Sequence, residues 1–177
     1  FFLSVIFPHS HLNIIDYNRI VKDLNGLSSE EYISKVSKKF DINICKGQEP
    51  YKPLSKYNYG MYLNGKWYRL IAKEGTYDPF DPVEGLDVSI LQNNLLDPIL
   101  GIKDPRSDSR IDFVGGIRGL KELESRINEK NTGVAFSMYP TTLEDLMNIA
   151  DAGRVMPPKS TWFEPKLRSG LFVHKLK

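Results

Sequence analysis

The segment YNYGMYLNGKWYRLIAK (residues 57–73) constrains the fold more than any other stretch of the sequence. Asn64-Gly65 separates two aromatic-rich runs in this segment, and Asn-Gly readily adopts the positive φ angles that a type I′ turn requires at both central positions. The segment therefore predicts a β-hairpin. The alternating residues of its two strands also predict one buried face and one solvated face.

A β-α-β unit is predicted in the last third of the sequence. Apolar runs at 111–114 and 134–138 are typical of strands. Between the two runs, apolar residues recur at helical spacing, at Ile117, Leu120, Leu123 and Ile127. A strand, a helix and a second strand in this order form the unit.

Further helices are indicated by their start signals. Ser28 with Glu31, and Thr141 with Glu144, have the spacing of a capping box. Asp87 is placed to cap another helix. Together these patterns predict an α+β fold, in which a mixed sheet contains the hairpin and a C-terminal β-α-β unit and the helices pack on the sheet.

The length of 177 residues and a hydrophobic content of 41% suffice for one core of ordinary size. Two irregular segments, EGTYDPFDPVEG and DPILGIKDPRSDSR, suggest a sub-boundary near residue 85, but the composition does not shift there. We therefore expect a single α+β domain over residues 1–177. The sequence opens without Met on the apolar run FFLSVIFP, which predicts a core strand in the C-terminal half of a longer protein.

Charge and cysteine content restrict the partners. The formal net charge is only +2, which argues against nucleic-acid binding and means that any anion site must be local. No apolar run approaches the ~20 residues of a membrane-spanning helix, so we expect no membrane partner. Cys45 is the sole cysteine, which excludes an internal disulfide and favours a reducing, cytoplasmic setting.

The run IDFVGGIRGLKEL (residues 111–123) places a glycine pair where the predicted strand meets the helix. Gly115 and Gly116 allow positive φ angles and exposed amides, and Arg118 adds a positive charge at the helix N-terminus, so the turn suits an anion. The spacing matches neither the dinucleotide fingerprint nor the Walker loop. The alternative is that the glycines only relieve crowding and that Arg118 pairs with Asp112 or Glu122.

A second basic cluster lies in MPPKSTWFEPKLRSG (residues 156–170), a loop constrained by prolines. Lysine and arginine can neutralise an oxyanion, hydroxyl groups can donate hydrogen bonds, and prolines reduce the entropy lost on ordering the loop. Together with the glycine turn, this loop predicts a site for a small anionic metabolite. The residues of the predicted site are Gly115, Gly116, Arg118, Lys159, Ser160, Thr161, Lys166 and Arg168. No catalytic group is assigned. Asp108 and Asp112 lack a third ligand and do not predict a metal site.

Three runs carry a family resemblance: NRIVKDLNGLS (18–28), DFVGGIRGLKELE (112–124) and the segment from Val134 to Leu176. They resemble the C-terminal portion of domain-of-unknown-function family 1015. The resemblance extends from about Phe1 to the C-terminus, and the last segment is its most specific part. Members of that family carry an Asp-Gly-His-His-Arg-Tyr motif in an N-terminal half similar to the partition-protein/sulfiredoxin superfamily. This chain lacks that motif.

The resemblance implies a link to serine metabolism, because that superfamily includes free-serine kinases. Serine phosphate, serine or ADP is then the implied ligand, and ADP or ATP with Mg²⁺ the implied cofactor of the full-length protein. On this hypothesis the chain is the phosphate-binding half of an enzyme that acts on a phosphorylated compound, and the N-terminal half is its partner.

The alternative hypothesis is a non-catalytic structural or interaction domain, which packs on the N-terminal half or forms a homo-oligomer. It predicts exposed apolar area around residues 1–7 and on the hairpin at 57–70, with no pocket beside the arginines.

Overall fold

The computed structural model of the protein describes residues 4, 6, 8, 11–47, 49–130, 132–164, 170 and 173–175. Within these residues the chain forms an α+β fold. The strands are β1 (Asn13–Ile15), β2 (Tyr17–Val21), β3 (Phe40–Ile44), β4 (Asn58–Leu63), β5 (Lys66–Ala72), β6 (Ile111–Gly115), β7 (Val134–Met138) and β8 (Trp162–Glu164). The α-helices are α1 (Ser29–Val36), α2 (Asp87–Leu91), α3 (Lys121–Lys130) and α4 (Leu143–Asp151).

Two shorter helical segments complete the path. A π-helical segment, Gln92–Leu96, continues α2, and a 3₁₀ helix, Gly116–Arg118, follows β6. In the described part of the chain, no helix has the length and apolar character needed to cross a bilayer.

Six strands form one sheet in the order β3-β5-β4-β7-β2-β6, and each neighbouring pair is antiparallel. The predicted β-α-β unit is present as β6, α3 and β7. Its two strands run parallel to each other, but β2 lies between them and pairs with both. The expected mixed sheet is therefore antiparallel in all of its hydrogen-bonded pairs among the described residues. Residues on both sides of the expected sub-boundary near 85 contribute strands to it.

The hairpin is confirmed, with φ of 49° at Asn64 and 74° at Gly65 between β4 and β5. The prediction of one solvated face is wrong for β4, because all six residues of that strand are buried. β4 lies inside the sheet between β5 and β7, and both faces of the sheet are covered.

Helices cover the two faces unequally. Apolar residues of α1, α2 and α4 pack in one cluster with sheet residues that include Val21, Met61 and Phe136. On the opposite face, α3 packs in a second cluster with Ile20 and Trp67. The larger cluster is the main core, and its face is the one that carries the candidate site.

The first capping box is confirmed: the Ser28 hydroxyl accepts the amide of Glu31 at 3.2 Å, and the Glu31 carboxylate accepts the amide of Ser28 at 2.8 Å. The second box begins one residue later than predicted, at Thr142, and its acidic member is Asp145.

Asp87 does not cap α2. The N-cap is Leu86, and Asp87 is the first helical residue. The predicted strands at 1–8 and 169–177 fall mostly outside the described residues.

Candidate anion-binding site

Arg19 is a buried cation in the middle of β2, with 3% of its surface exposed. It faces Phe113 of β6 on one side and Phe136 of β7 on the other. Its Nη1 donates to the carbonyl oxygen of Tyr17 at 2.7 Å, and its Nη2 donates to that of Lys159 at 3.2 Å. The guanidinium carbon also lies 5.7 Å from the centroid of the Phe113 ring. Two carbonyls and a ring thus hold the guanidinium in place.

Arg19 has no carboxylate partner within salt-bridge distance in the described part of the chain. Burial lowers the pKa of Arg19 to about 10, and the nearby Tyr59, Tyr17 and Asp87 oppose that shift. The guanidinium therefore remains charged at neutral pH. Because buried charges are normally paired, and a guanidinium has several N–H donors, a bound anion would complete this environment.

A cavity of about 500 Å³ lies beside Arg19. It is bounded by the first turn of α2 and the π-helical continuation of that helix, by the loop at 103–106 and by the turn at 155–158. Its polar lining includes Arg19, Ser89, Gln92, Asn93, Lys103 and Arg106. The Ser89 hydroxyl makes no hydrogen bond to another described residue, so it is available as a donor to a ligand.

Charges on the cavity wall are unequally compensated. Arg106 is held by Asp104, with 2.9 Å between Nη2 and Oδ2. Glu84 accepts a hydrogen bond of 2.6 Å from the amide of Asn93. No acidic partner of Lys103 is found within the described ranges. Arg19 and Lys103 are thus cations without an acidic partner in the described ranges, and the uncompensated charge on the cavity wall is mainly positive.

The structure brings the two predicted segments together. Trp162 lies on Gly115, since an added Cβ at Gly115 would lie 2.7 Å from the indole ring, and the indole packs edge-on against Tyr17 at 5.2 Å. The ammonium of Lys159 lies 5.7 Å from the centroid of the Phe113 ring, the ring that Arg19 also contacts. Lys159 is thus a second cation that lies over the same ring as the guanidinium.

The predicted reason for the glycine pair is wrong. Gly115 has φ of −65°, and Gly116 does not adopt a positive φ either. The pair instead permits close approach: a Cβ at Gly116 would lie 2.3 Å from Oδ1 of Asp16, as one at Gly115 would meet Trp162. The Gly116 amide already donates to the carbonyl oxygen of Asp16 at 2.8 Å. This amide is occupied and is not free for an anion.

Arg118 is exposed, with 61% of its side chain accessible, and Nη1 lies 3.7 Å from Oε1 of Glu122. This is one of the two pairings that the alternative interpretation offered. Asp112, the other partner considered, pairs instead with Arg126 at 2.7 Å.

Ser160 is buried, and it fixes the basic loop. Its hydroxyl donates to the carbonyl oxygen of Pro157 at 2.8 Å, and its own carbonyl accepts the Thr141 hydroxyl at 2.9 Å. Lys159, just before it, has φ of 57°, an unusual conformation for a residue with a side chain. Thr161 is half-buried next to Ser160.

Two predicted members of the site, Lys166 and Arg168, lie outside the described residues. Sequence reasoning missed Arg19. Its signal in the sequence is a charged residue inside the otherwise strand-like run YNRIV.

Asp87 is a buried acid on the first turn of α2, 7% exposed. Its Oδ1 accepts the backbone amide of Tyr57 at 2.6 Å, and its carbonyl oxygen accepts the Tyr59 hydroxyl at 3.1 Å. Burial raises the pKa of Asp87 to about 7, and the Tyr57 amide, Lys56 and Tyr59 oppose that shift. Sequence reasoning treated this residue as a helix cap and missed its burial.

No group of three or more His, Cys, Asp or Glu side chains is placed to hold a metal ion among the residues that the structure describes. Asp108 forms an ion pair with Arg110 at 2.8 Å, and Asp112 with Arg126. These residues therefore offer no evident ligand set for the Mg²⁺ that the resemblance implies.

Replacing Gly116 by alanine tests the packing role of the glycine pair. The new Cβ would collide with the buried carboxylate of Asp16, which also accepts the Asn18 amide at 2.5 Å. We expect the free energy of unfolding to fall by about 1–3 kcal/mol, measured by urea denaturation. Ile117→Ala, at a side chain that is 67% exposed, is the control and should change it little. Equal effects of the two substitutions would contradict the packing role.

Comparisons with known proteins bear on the family. The sequence model of a family described as "Protein of unknown function (DUF1015)" matches residues 1–89. The segment from Val134 to Leu176, on which much of the resemblance rested, lies beyond that match. A search of curated proteins found no match.

The fold is similar to that of solved free serine kinase structures. One mutant in complex with AMP has a TM-score of 0.53 at 11% identity, covering 88% of this chain and 55% of that chain. A mutant in complex with ADP has a TM-score of 0.51 at 15% identity, covering 90% of this chain and 58% of that chain. This chain thus spans little more than half the length of those proteins. At such identities the similarity shows a shared fold.

Proposed function

Because the chain belongs to the DUF1015 family of proteins of unknown function, we propose that it is the metabolite-binding part of an enzyme that acts on a phosphorylated compound. Serine phosphate and nucleotides are the compounds that we favour. The phosphate group binds beside Arg19 and faces the cavity. The remainder of a longer protein supplies the reacting groups, and ADP or ATP with Mg²⁺ is the cofactor of that whole.

The observation that carries the proposal is the buried guanidinium of Arg19 without an acidic partner among the described residues. A phosphate oxygen pair matches the fork of a guanidinium and would compensate a charge that burial makes costly. The cavity of about 500 Å³ is within the usual size range of small-molecule sites. The fold shared with proteins solved in complex with AMP and ADP supports a nucleotide as one candidate.

The predicted residues enter the proposal in different roles. Lys159 supplies a second positive charge near the Phe113 ring, and Ser160 holds the turn that carries it. Gly115 lets Trp162 close against β6. The contribution of the site to catalysis is electrostatic stabilisation of a charged phosphoryl group rather than nucleophilic attack.

For five of the predicted residues, the role in the site stays an expectation. Arg118 is a peripheral cation that reaches the ligand only if it leaves Glu122. Gly116 and Thr161 adjoin Gly115 and Ser160 in the chain. Lys166 and Arg168, which lie outside the described residues, stay predicted members of the site.

The test is isothermal titration at pH 7 and low salt with ADP, AMP, serine phosphate and sulfate. We expect binding by the wild-type protein and at least about a tenfold loss of affinity in Arg19→Met, equivalent to ~1.4 kcal/mol. Arg19→Lys should retain part of the affinity, because it keeps the charge without the fork.

Arg126→Met is the matched control. It removes the same charge from a partly buried arginine that pairs with Asp112 and Glu122 and does not line the Arg19 cavity. The absence of binding to the wild-type protein, or equal losses in the two variants, would refute the proposal.

The alternative, an interaction domain, receives no support from the hairpin. β4 is buried throughout, and a cavity lies beside a buried arginine. The apolar stretch at residues 1–7, its other expected sign, lies mostly outside the described residues.

A further inference from the structure

Arg19 and Asp87 are buried charges of opposite sign that do not pair with each other. Neither forms an ion pair in the described portion of the chain. Asp87 is the first residue of α2, and the next two residues, Val88 and Ser89, line the Arg19 cavity. Tyr59 lies against Asp87, because its hydroxyl donates to the Asp87 carbonyl at 3.1 Å. The negative charge of Asp87 in turn raises the pKa of Arg19.

The surroundings of Asp87 give it no cation of its own. The titratable groups that face it are Lys56, Tyr57, Tyr59, Tyr77, Asp145 and Arg19. Lys56 forms its ion pair with Asp145, so the nearest lysine is already compensated. Arg19 is the remaining cation in this group, and it acts on Asp87 only from beyond contact distance.

We propose that anion binding at Arg19 is linked to the protonation of Asp87, so that the site takes up a proton when the anion binds. This inference rests on the proposed function. A bound anion compensates the positive charge of Arg19. That charge otherwise favours the ionised Asp87 carboxylate, so its compensation favours the neutral carboxylic acid. Uptake of a proton at Asp87 then restores the charge balance of the buried cluster.

Burial raises the pKa of Asp87 to about 7, so the free protein carries a mixture of neutral and ionised carboxyl groups near that pH. Because the anion prefers the neutral form, its affinity should fall as the pH rises. We expect a decrease of about two- to fivefold between pH 6 and pH 8.

The experiment uses sulfate, whose charge is constant over this pH range. Titration calorimetry at pH 7 in buffers of different ionisation enthalpy measures the protons taken up per sulfate bound. We expect a fraction of a proton, up to about half, for the wild-type protein. Asp87→Asn keeps an oxygen to accept the Tyr57 amide and should bind sulfate without proton uptake and with an affinity independent of pH.

Asp112→Asn is the control, because it removes an exposed carboxylate of the same kind that pairs with Arg126. It should take up protons as the wild-type protein does. Sulfate binding by the wild-type protein without proton uptake, or unchanged uptake in Asp87→Asn, would overturn the linkage and leave the proposed function standing. The absence of sulfate and nucleotide binding would overturn both.

Discussion

Replacing Gly60 by alanine is expected to lower the free energy of unfolding by about 2–4 kcal/mol. Gly60 lies in β4 between β5 and β7, where a Cβ would lie 2.1 Å from the Ser137 Oγ and 2.7 Å from the carbonyl oxygen of Tyr51. These two atoms are already joined by a hydrogen bond of 2.6 Å, so neither can retreat without breaking it. Urea denaturation followed by circular dichroism measures the loss.

Two further variants separate this collision from the general effect of replacing a glycine. Gly75→Ala, at a φ of 76° with open space around the position, carries only the backbone cost of ~1 kcal/mol. Ser137→Ala in the Gly60→Ala background removes the nearer atom and should recover part of the loss. A Gly60→Ala protein as stable as Gly75→Ala would show that the sheet accommodates a side chain here.

The second large effect is a stabilisation by Asp87→Asn that appears only at neutral and alkaline pH. Burial raises the pKa of Asp87 from 3.8 to about 7, so between these values the folded protein retains a proton that the unfolded chain releases. The wild-type protein therefore loses stability as the pH rises through this window, and the full cost is present above it. Asparagine has no such cost, and we expect Asp87→Asn to be about 2–4 kcal/mol more stable at pH 8.

The difference between the two proteins should become small near pH 4, where Asp87 is neutral in the folded protein and the unfolded chain is about half protonated at this residue. Denaturation at pH 4.5, 6 and 8 traces the curve, with Asp112→Asn as the exposed control. A stability difference that stays constant across this range would mean that Asp87 titrates normally and is solvated.

Local chemistry explains which parts of the fold could be predicted. The Asn64-Gly65 turn and the Ser28 capping box depend on residues adjacent in sequence, and both are present. The β-α-β unit was also predicted, since its helical and strand periods lie within one segment. The position of β2 between its two strands could not be predicted, because that pairing joins residues about one hundred positions apart.

The same reasoning applies to the site. Lys159 could be proposed from the composition of its loop, and it does lie near the ring that Arg19 contacts. Arg19 itself is buried because β6 and β7 flank its strand and helices cover that face of the sheet, which a short sequence window does not reveal. The glycine pair was correctly assigned to a crowded junction as the alternative interpretation, since its neighbours, Asp16 and Trp162, come from distant segments.

The insertion of β2 between β6 and β7 has a consequence for how the protein folds. The strands β6 and β7 can form their hydrogen bonds to β2 only after β2, which lies about one hundred residues earlier in the chain, has docked between them. A long loop must therefore close before the sheet is complete. Such high contact order slows folding. Since this same docking step buries Arg19, the candidate site can form only after strands distant in sequence have paired.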